Sequence, residues 1–207
     1  GWQKAVYEIY ETFPKAGMVG TTPNRLGFKY LTENIFLYYL FTKKVKFKRV
    51  KSDEDIVSFY SSINKSVKDT DYFVKVIENK NSHAVIGAGH FCATFRKEGL
   101  DGFMKFKTTN LKMGGKIMNA YIDNYIYNMN LWRLSTFKNF TYHLGNILED
   151  WMIEKINQNY KEKEELKKPK LRKLHNKYVN LRISKIYNKL RKHFFIKIIS
   201  KIYKYEH

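Results

Sequence analysis

The first 145 residues alternate between segments in which apolar residues recur at helical spacing and short apolar runs typical of strands. Residues 2–13 carry apolar side chains at three- and four-residue intervals, which predicts a helix. Pro14 ends this helix, because proline disfavours helical backbone in the residue before it. Residues 16–20 form a short apolar run between turn formers, which predicts a buried strand. This alternation is typical of α/β proteins, so we predict an α/β fold with a mixed sheet.

The same two patterns predict the remaining elements of this region. Ser52, followed three residues later by Asp55, is typical of a capped helix start. Further helices are predicted over 32–40, from 52 onward, over 116–128 and over 147–160, and strands over 45–50, 72–78, 84–95 and 131–142. Strands and helices are therefore expected in turn along the whole region.

Length and composition exclude several classes of protein. The 207 residues contain no stretch of about 18 uncharged apolar residues, so no transmembrane helix is predicted. A single cysteine, Cys92, excludes an internal disulfide and a multi-cysteine metal site. The chain begins with Gly1 directly on an amphipathic segment, and we therefore expect it to be a piece of a longer protein.

The chain is strongly basic, with 39 Lys and Arg against 19 Asp and Glu and a formal net charge of +20. The excess is concentrated in residues 161–207, which hold 16 Lys and Arg against four Glu. Such a charge is compatible with nucleic acid, anionic lipid or phosphorylated substrates as partners. By itself it selects none of them.

A basic amphipathic helical tail is predicted at the end of the chain. Apolar residues recur at helical intervals over 171–203, and Lys and Arg fill the positions between them. Such a helix can bind an anionic membrane surface through residues 171–204, with its apolar face among acyl chains and its lysines near phosphates. Alternatively, its apolar stripe packs on the preceding domain or on another subunit. The sequence leaves both interpretations open.

Residues 84–95 contain Gly87 and Gly89 inside an apolar run. Glycine within a strand usually marks a bulge or a place where another group approaches the backbone closely, and both interpretations are open here. His90 and Cys92 are alternate residues and would share one side of the strand. We interpret them as core or supporting residues rather than as a nucleophilic Cys–His pair, because no third orienting group accompanies them.

Three segments together resemble the later half of a known enzyme family. They are FPKAGMVG at 13–20, GAGHFCATFRKE at 87–98, and a closing set made of Asp123, Trp132-Arg133-Leu134 and YHLGN at 142–146. In this order and spacing they resemble the acceptor-side half of GT-A type nucleotide-sugar glycosyltransferases of the inverting, family 2-like kind. The resemblance implies that residues 1–150 are the later half of a GT-A-like, Rossmann-like catalytic domain. Residues 151–207 would then be a helical basic extension.

The resemblance implies catalytic roles for one aspartate and one histidine. Asp123 would be the general base that takes the proton from the acceptor hydroxyl as the anomeric carbon is attacked. A solvated aspartate on an amphipathic helix is the alternative explanation. His143 would be a ligand of the divalent metal or a contact to the leaving diphosphate, and a histidine bonded to a backbone carbonyl is its alternative.

Five further residues would bind substrate if the resemblance holds. Gly87 and Gly89 would let the backbone approach the sugar. Arg96 would pair with diphosphate oxygens in a bidentate fork, unless it forms a structural ion pair with a nearby acid. Trp132 would stack on an acceptor sugar, unless it is an interior residue, and Arg133 belongs to the same substrate-binding segment.

The chain departs from the family in two respects. The family's first half is absent, with its nucleotide-binding strands and its Asp-x-Asp metal motif. The acidic pair that the family would place as Glu-Asp is Ile122-Asp123 here, with only one carboxylate. Asp53-x-Asp55 and Asp69-x-Asp71 fall at a helix start and in a loop, where capping and turn formation explain them. We therefore expect Mn²⁺ or Mg²⁺ to bind only together with the missing N-terminal half, and the chain alone to be inactive.

The resulting expectation is a glycosyltransferase that moves a sugar from a nucleotide-sugar donor to a polysaccharide or glycolipid acceptor. Its expected location is the cytoplasm, peripherally at the inner membrane face. The alternative is a basic interaction module without catalysis that binds a membrane or a nucleic acid. No recognisable nucleic-acid motif occurs in the sequence, so nucleic acid is the less expected partner.

Overall fold

The computed structural model has the α/β architecture expected from the sequence. Twelve helices and strands follow one another along the described part of the chain. The residues that the structure describes are 1–23, 30–39, 42, 44–50, 53–63, 65–68, 72–79, 82–100, 116–142 and 150–160.

The helices and strands have the following bounds. The helices are α1 (Trp2–Thr12), α2 (Glu33–Tyr38), α3 (Asp53–Ser62), α4 (Lys97–Leu100), α5 (Lys116–Asn128) and α6 (Asp150–Tyr160). The strands are β1 (Ala16–Gly20), β2 (Val45–Arg49), β3 (Phe73–Asn79), β4 (Ser82–Ile86), β5 (Ala93–Phe95) and β6 (Trp132–Ser135).

Six strands of the described chain form one mixed sheet in the order β2–β3–β4–β6–β1–β5. The β1 and β6 strands are parallel, and the other neighbouring strands are antiparallel. The predicted α/β class and mixed sheet are therefore confirmed. The predicted helical tail lies in 161–207, outside the described residues, and so does the first part of the helix expected over 147–160.

The prediction of one strand over residues 84–95 is wrong. The first strand, β4, ends at Ile86, and the chain then leaves the sheet before it returns at Ala93 as β5. The two strands are not neighbours, because β6 and β1 lie between them. The apolar run continues through the break because the connecting residues Gly87 and Ala88 are themselves buried.

Helices cover both faces of the sheet. Successive side chains of a strand point to opposite sides, so each strand has side chains that pack against helices on either face. On the first face, α1 and α2 pack on Ala84, Ile86, Trp132 and Leu134 in the largest buried cluster. On the second face, Val74, Val76 and Val85 pack with Ile56 of α3. Met18 packs there with Ile126 of α5 and Leu131. The result is a three-layer arrangement with α3 and α5 on the same side.

Gly17 lies at a β-bulge, where the pairing of β1 with β6 shifts between Ala16 and Met18. A Cβ on Gly17 would lie 2.6 Å from the Cβ of Leu131. The two strands and α5 therefore approach one another at this point more closely than a methyl group permits. Gly99 of α4 also faces Leu131, but a Cβ there would lie 3.4 Å from the nearest atom, which is ordinary contact.

Replacement of Gly17 tests this close approach. We expect Gly17→Ala to lower the free energy of unfolding by about 1–3 kcal/mol, because the added methyl overpacks the core beside Leu131. Gly99→Ala, which faces the same leucine, is the matched control and is expected to be nearly neutral. Urea unfolding followed by circular dichroism measures both. Equal midpoints for the two variants would contradict this account of the bulge.

Candidate functional site

The chain between β4 and β5 crosses the ends of two other strands, and we call residues 87–92 the crossing segment. Gly87 begins it with φ 96°, a left-handed conformation that side chains with a Cβ rarely adopt. The backbone N–H of Gly87 donates to the carbonyl of Arg133 at 2.8 Å, and the Ser135 hydroxyl donates to the Gly87 carbonyl at 2.8 Å. At the far end, the Thr21 N–H donates to the Cys92 carbonyl at 3.0 Å.

Gly87 serves the turn that begins the crossing segment, and the surroundings of Gly20 show where that segment packs. A Cβ on Gly20, at the end of β1, would lie 3.5 Å from the Cβ of Ala88 and 3.6 Å from the Gly89 carbonyl oxygen. The crossing segment therefore lies directly against the sheet at this point. A local role explains Gly87 fully, and close approach of a sugar to Gly87 or Gly89 stays a prediction.

The crossing segment brings His90 to Asp123 on α5. The imidazole Nε2 lies 2.8 Å from Oδ1 of Asp123, and Nε of Arg133 lies 2.9 Å from the same oxygen. The side chains of Asp123 and Arg133 are each 5% exposed, whereas that of His90 is 17% exposed. A buried carboxylate thus lies between a buried cation and a partly exposed imidazole.

Arg133 is fixed by three further contacts. Its terminal nitrogens donate to the Tyr30 carbonyl at 3.0 Å and to the carbonyl of Ala88 in the crossing segment. The guanidinium also lies 5.5 Å from the centre of the Tyr30 ring. Burial lowers the pKa of Arg133, and the charge of Asp123 partly offsets that effect. The arginine therefore joins β6, the crossing segment and α5 at one point.

A cleft of about 180 Å³ adjoins the crossing segment on the α3 side of the sheet. The Phe91 ring lies at its wall, 5.9 Å from the ring of Phe59 on α3. The Oγ1 of Thr22 is buried at the same cleft, with no hydrogen-bond partner among the described residues. The remaining lining residues are Gly20, Pro23, Tyr60, Ile63, Lys65, Gly89 and Cys92.

Arg96 lies away from Asp123. It is 4% exposed, its Nε–H donates to the carbonyl of Ala16 at 3.0 Å, and its guanidinium lies over the ring of Tyr10, which belongs to α1 on the first face. Burial raises the pKa of Tyr10 to about 12. These contacts favour a structural role for Arg96 over diphosphate binding.

Trp132 also lies away from Asp123, because it is adjacent to Arg133 in β6 and points to the opposite face. Its side chain is 2% exposed, and its ring lies 5.1 Å from that of Tyr38 and 5.5 Å from that of Tyr39. The ammonium group of Lys15 lies 5.5 Å from the indole, and burial lowers the pKa of Lys15 to about 8. This placement favours the interior interpretation of Trp132.

His143 lies in residues 143–149, outside the described part of the chain, so its distance from Asp123 stays a prediction. Among the described residues, no group of three or more His, Cys, Asp or Glu side chains could hold a metal ion. Where Mn²⁺ or Mg²⁺ would bind therefore stays a prediction.

The contact between His90 and Asp123 was not predicted. The two residues are 33 positions apart, and no spacing rule connects a loop histidine with a helical aspartate. One signal was available in the sequence: Asp123 precedes Ile126 and Tyr127 by three and four residues, so it shares their face of α5. Both are fully buried, which makes Asp123 a buried acid that needs a partner.

Comparison of the chain with protein-family models, with curated proteins and with solved structures finds no match. The functional interpretation therefore depends on the residues and the geometry described above.

Neutralisation of Asp123 tests the buried ion pair. We expect Asp123→Asn to lower the free energy of unfolding by about 3–5 kcal/mol, because it leaves the buried Arg133 charge uncompensated. Glu154→Gln is the control, since it neutralises an exposed carboxylate on α6 and should change stability by less than about 0.5 kcal/mol.

Urea unfolding measures both variants, and the double variant Asp123→Asn/Arg133→Met completes the cycle. We expect the double variant to lose less stability than the sum of its two single variants, because no charge is left unpaired. Additive losses would show that the two side chains do not interact energetically.

Proposed function

We propose that the chain is the acceptor-side half of a nucleotide-sugar glycosyltransferase with a GT-A-like catalytic domain. The observation that carries the proposal is the buried carboxylate of Asp123, which contacts Arg133 and also His90, a residue of the crossing segment that lines a cleft through its neighbours Gly89 and Phe91. The family resemblance points to the same aspartate as the base of sugar transfer. Acids held by charged partners beside a cleft are frequent at functional sites, although structural ion pairs also produce them.

In the proposed reaction, the oxygen of an acceptor hydroxyl attacks the anomeric carbon of the donor sugar. The bond from that carbon to the diphosphate breaks, and the nucleoside diphosphate leaves with the electron pair. The acceptor hydroxyl must lose its proton as it attacks, and the site at Asp123 removes it. Arg133 keeps the carboxylate in place through its contacts with the carbonyls of Tyr30 and Ala88.

The cleft beside the crossing segment suits a glycan or glycolipid acceptor. Phe59, Tyr60 and Phe91 give it aromatic walls, on which the apolar face of a sugar ring packs. The Oγ1 of Thr22 supplies a polar group, and Lys65 is a further polar residue of the lining. Binding of the nucleotide sugar, and of any Mn²⁺ or Mg²⁺, belongs in this proposal to a half that would precede Gly1.

Assay of the full gene product tests the proposal. With Mn²⁺ or Mg²⁺ and a panel of UDP-, GDP- and CDP-sugars, we expect release of the nucleoside diphosphate, by transfer or by hydrolysis. We also expect the coding sequence upstream of Gly1 to contain an Asp-x-Asp at a strand end. Absence of turnover with every donor would refute the proposal.

A second assay connects the activity to Asp123. We expect Asp123→Asn to abolish turnover, and Asp123→Glu, which keeps the charge and moves the carboxylate, to lower kcat at least tenfold. Glu154→Gln should leave turnover unchanged. The far-ultraviolet circular dichroism spectrum shows which variants are folded. A folded Asp123→Asn variant with turnover like the natural protein would remove this residue from the mechanism.

We propose further that the tail holds the enzyme at the inner, cytoplasmic face of a membrane. The support is the sequence pattern of residues 171–204, where apolar side chains at helical spacing alternate with Lys and Arg. Among the described helices, none is both long enough and apolar enough to cross a bilayer. A surface-bound helix would bring the site close to a glycolipid acceptor.

Vesicle sedimentation tests the tail. We expect the full gene product to sediment with phosphatidylglycerol vesicles and not with phosphatidylcholine vesicles, and 1 M NaCl to release most of it, because salt screens attraction to anionic lipid. A variant that lacks residues 171–207 should stay in the supernatant. Equal binding of that variant, or binding to single-stranded RNA instead of vesicles, would contradict the membrane role.

A further inference from the structure

The contact between His90 and Asp123 fixes which imidazole nitrogen carries a proton. A carboxylate can only accept hydrogen bonds, and the Oδ1 of Asp123 already lies 2.9 Å from a guanidinium nitrogen of Arg133. The imidazole nitrogen 2.8 Å from Oδ1 is Nε2, so Nε2 must be the donor. In the neutral imidazole the other nitrogen, Nδ1, then keeps its lone pair and is a proton acceptor.

The exposed fraction of the side chain distinguishes Asp123 from His90, the two candidates for proton removal. The Asp123 side chain is 5% exposed, whereas the His90 side chain is 17% exposed. A general base must come within hydrogen-bond distance of the hydroxyl that it deprotonates. His90 also lies between Gly89 and Phe91, and both of these residues line the cleft.

From this geometry we infer that His90 is the group that takes the proton of the acceptor, and that Asp123 is its positioning residue. The inference rests on the proposed sugar transfer and changes the assignment of the base within it. Asp123 holds the ring in one tautomer and stabilises the imidazolium that forms, while Arg133 fixes the carboxylate. The same division of roles is known from other histidine–aspartate pairs.

The step balances without any further reactant. The acceptor O–H bond breaks and its proton moves to Nδ1 of His90, while the oxygen forms a bond to the anomeric carbon of the donor. The bond from that carbon to the diphosphate breaks, and the nucleoside diphosphate keeps the electron pair. The imidazolium of His90 then gives its proton to water.

Charged and titratable groups surround His90 on two sides. Asp123 lies against the ring, and Arg133 lies against the carboxylate of Asp123. The cleft that is lined by the chain neighbours Gly89 and Phe91 is also lined by the titratable residues Tyr60, Lys65 and Cys92. The carboxylate in contact with Nε2 offsets the charge that the ring gains.

Chemical rescue in the full gene product tests the inference. With the same panel of nucleotide sugars and Mn²⁺ or Mg²⁺, we expect His90→Ala to lower kcat by about 10²–10⁴-fold with little change in the KM of the donor. Added imidazole should restore part of the lost kcat, because it can occupy the space of the missing ring. His83→Ala is the control, since that ring packs on Phe137 away from the site, and it should keep normal turnover.

Asp123→Asn distinguishes the positioning role from a direct one. Imidazole should not rescue this variant, because His90 is still present and only its orientation is lost. Normal turnover in a folded His90→Ala variant, together with loss of turnover in Asp123→Asn, would overturn the inference and leave the proposed function standing. Absence of turnover in the natural protein refutes the proposed function itself.

Nitrogen-15 NMR of histidine-labelled protein tests the inference independently of activity. At mildly alkaline pH we expect the His90 ring, assigned by its loss in His90→Ala, to carry its proton on Nε2. In Asp123→Asn or Asp123→Glu, whichever is folded, we expect this preference to weaken. A ring protonated on Nδ1 in the natural protein would overturn the role of His90, whatever the turnover assays show.

Discussion

The buried contact between Asp123 and Arg133 is the interaction on which the second face of the sheet depends. Each charge would be strongly unfavourable in the interior without the other, since desolvation of a single ion costs several kcal/mol. The pair connects a helix to a central strand, and the bonds of Arg133 to Ala88 and Tyr30 extend the connection to the crossing segment and to the residues before α2. One arginine thus determines where three distant segments meet.

Strand β6 explains why the site residues expected from the family resemblance separate into two groups. It lies between β4 and β1, and its side chains alternate between the two faces of the sheet. Arg133 therefore joins Asp123 and His90, while Trp132 packs under α2 on the other face. In the segment Trp132-Arg133, the arginine lies at the candidate site and the tryptophan packs in the core. Adjacent positions in a strand cannot both face one pocket.

The proposed chemistry depends on the contrast between a buried acid and a more exposed base. Asp123 and Arg133 are each 5% exposed, and the imidazole of His90, at 17%, is the more accessible member of the cluster. The crossing segment carries that imidazole and also forms one wall of the cleft. In the proposed reaction a single loop would thereby connect acceptor binding with proton removal. The glycine that begins this loop permits it to turn away from β4.

The sequence by itself determined the α/β class and the position of most helices and strands, because these follow from local periodicity and from residue type. The choice of Asp123 as a candidate base came from the family resemblance instead. The sequence did not determine the break between β4 and β5, since both glycine-containing strands and buried crossing loops are apolar. Nor did it reveal the contact of His90 with Asp123 or the separation of Arg96 and Trp132 from them. Those depend on which strands are neighbours and on which face each side chain points to, and only the tertiary structure decides that, because hydrogen bonds between strands join residues regardless of their distance along the chain.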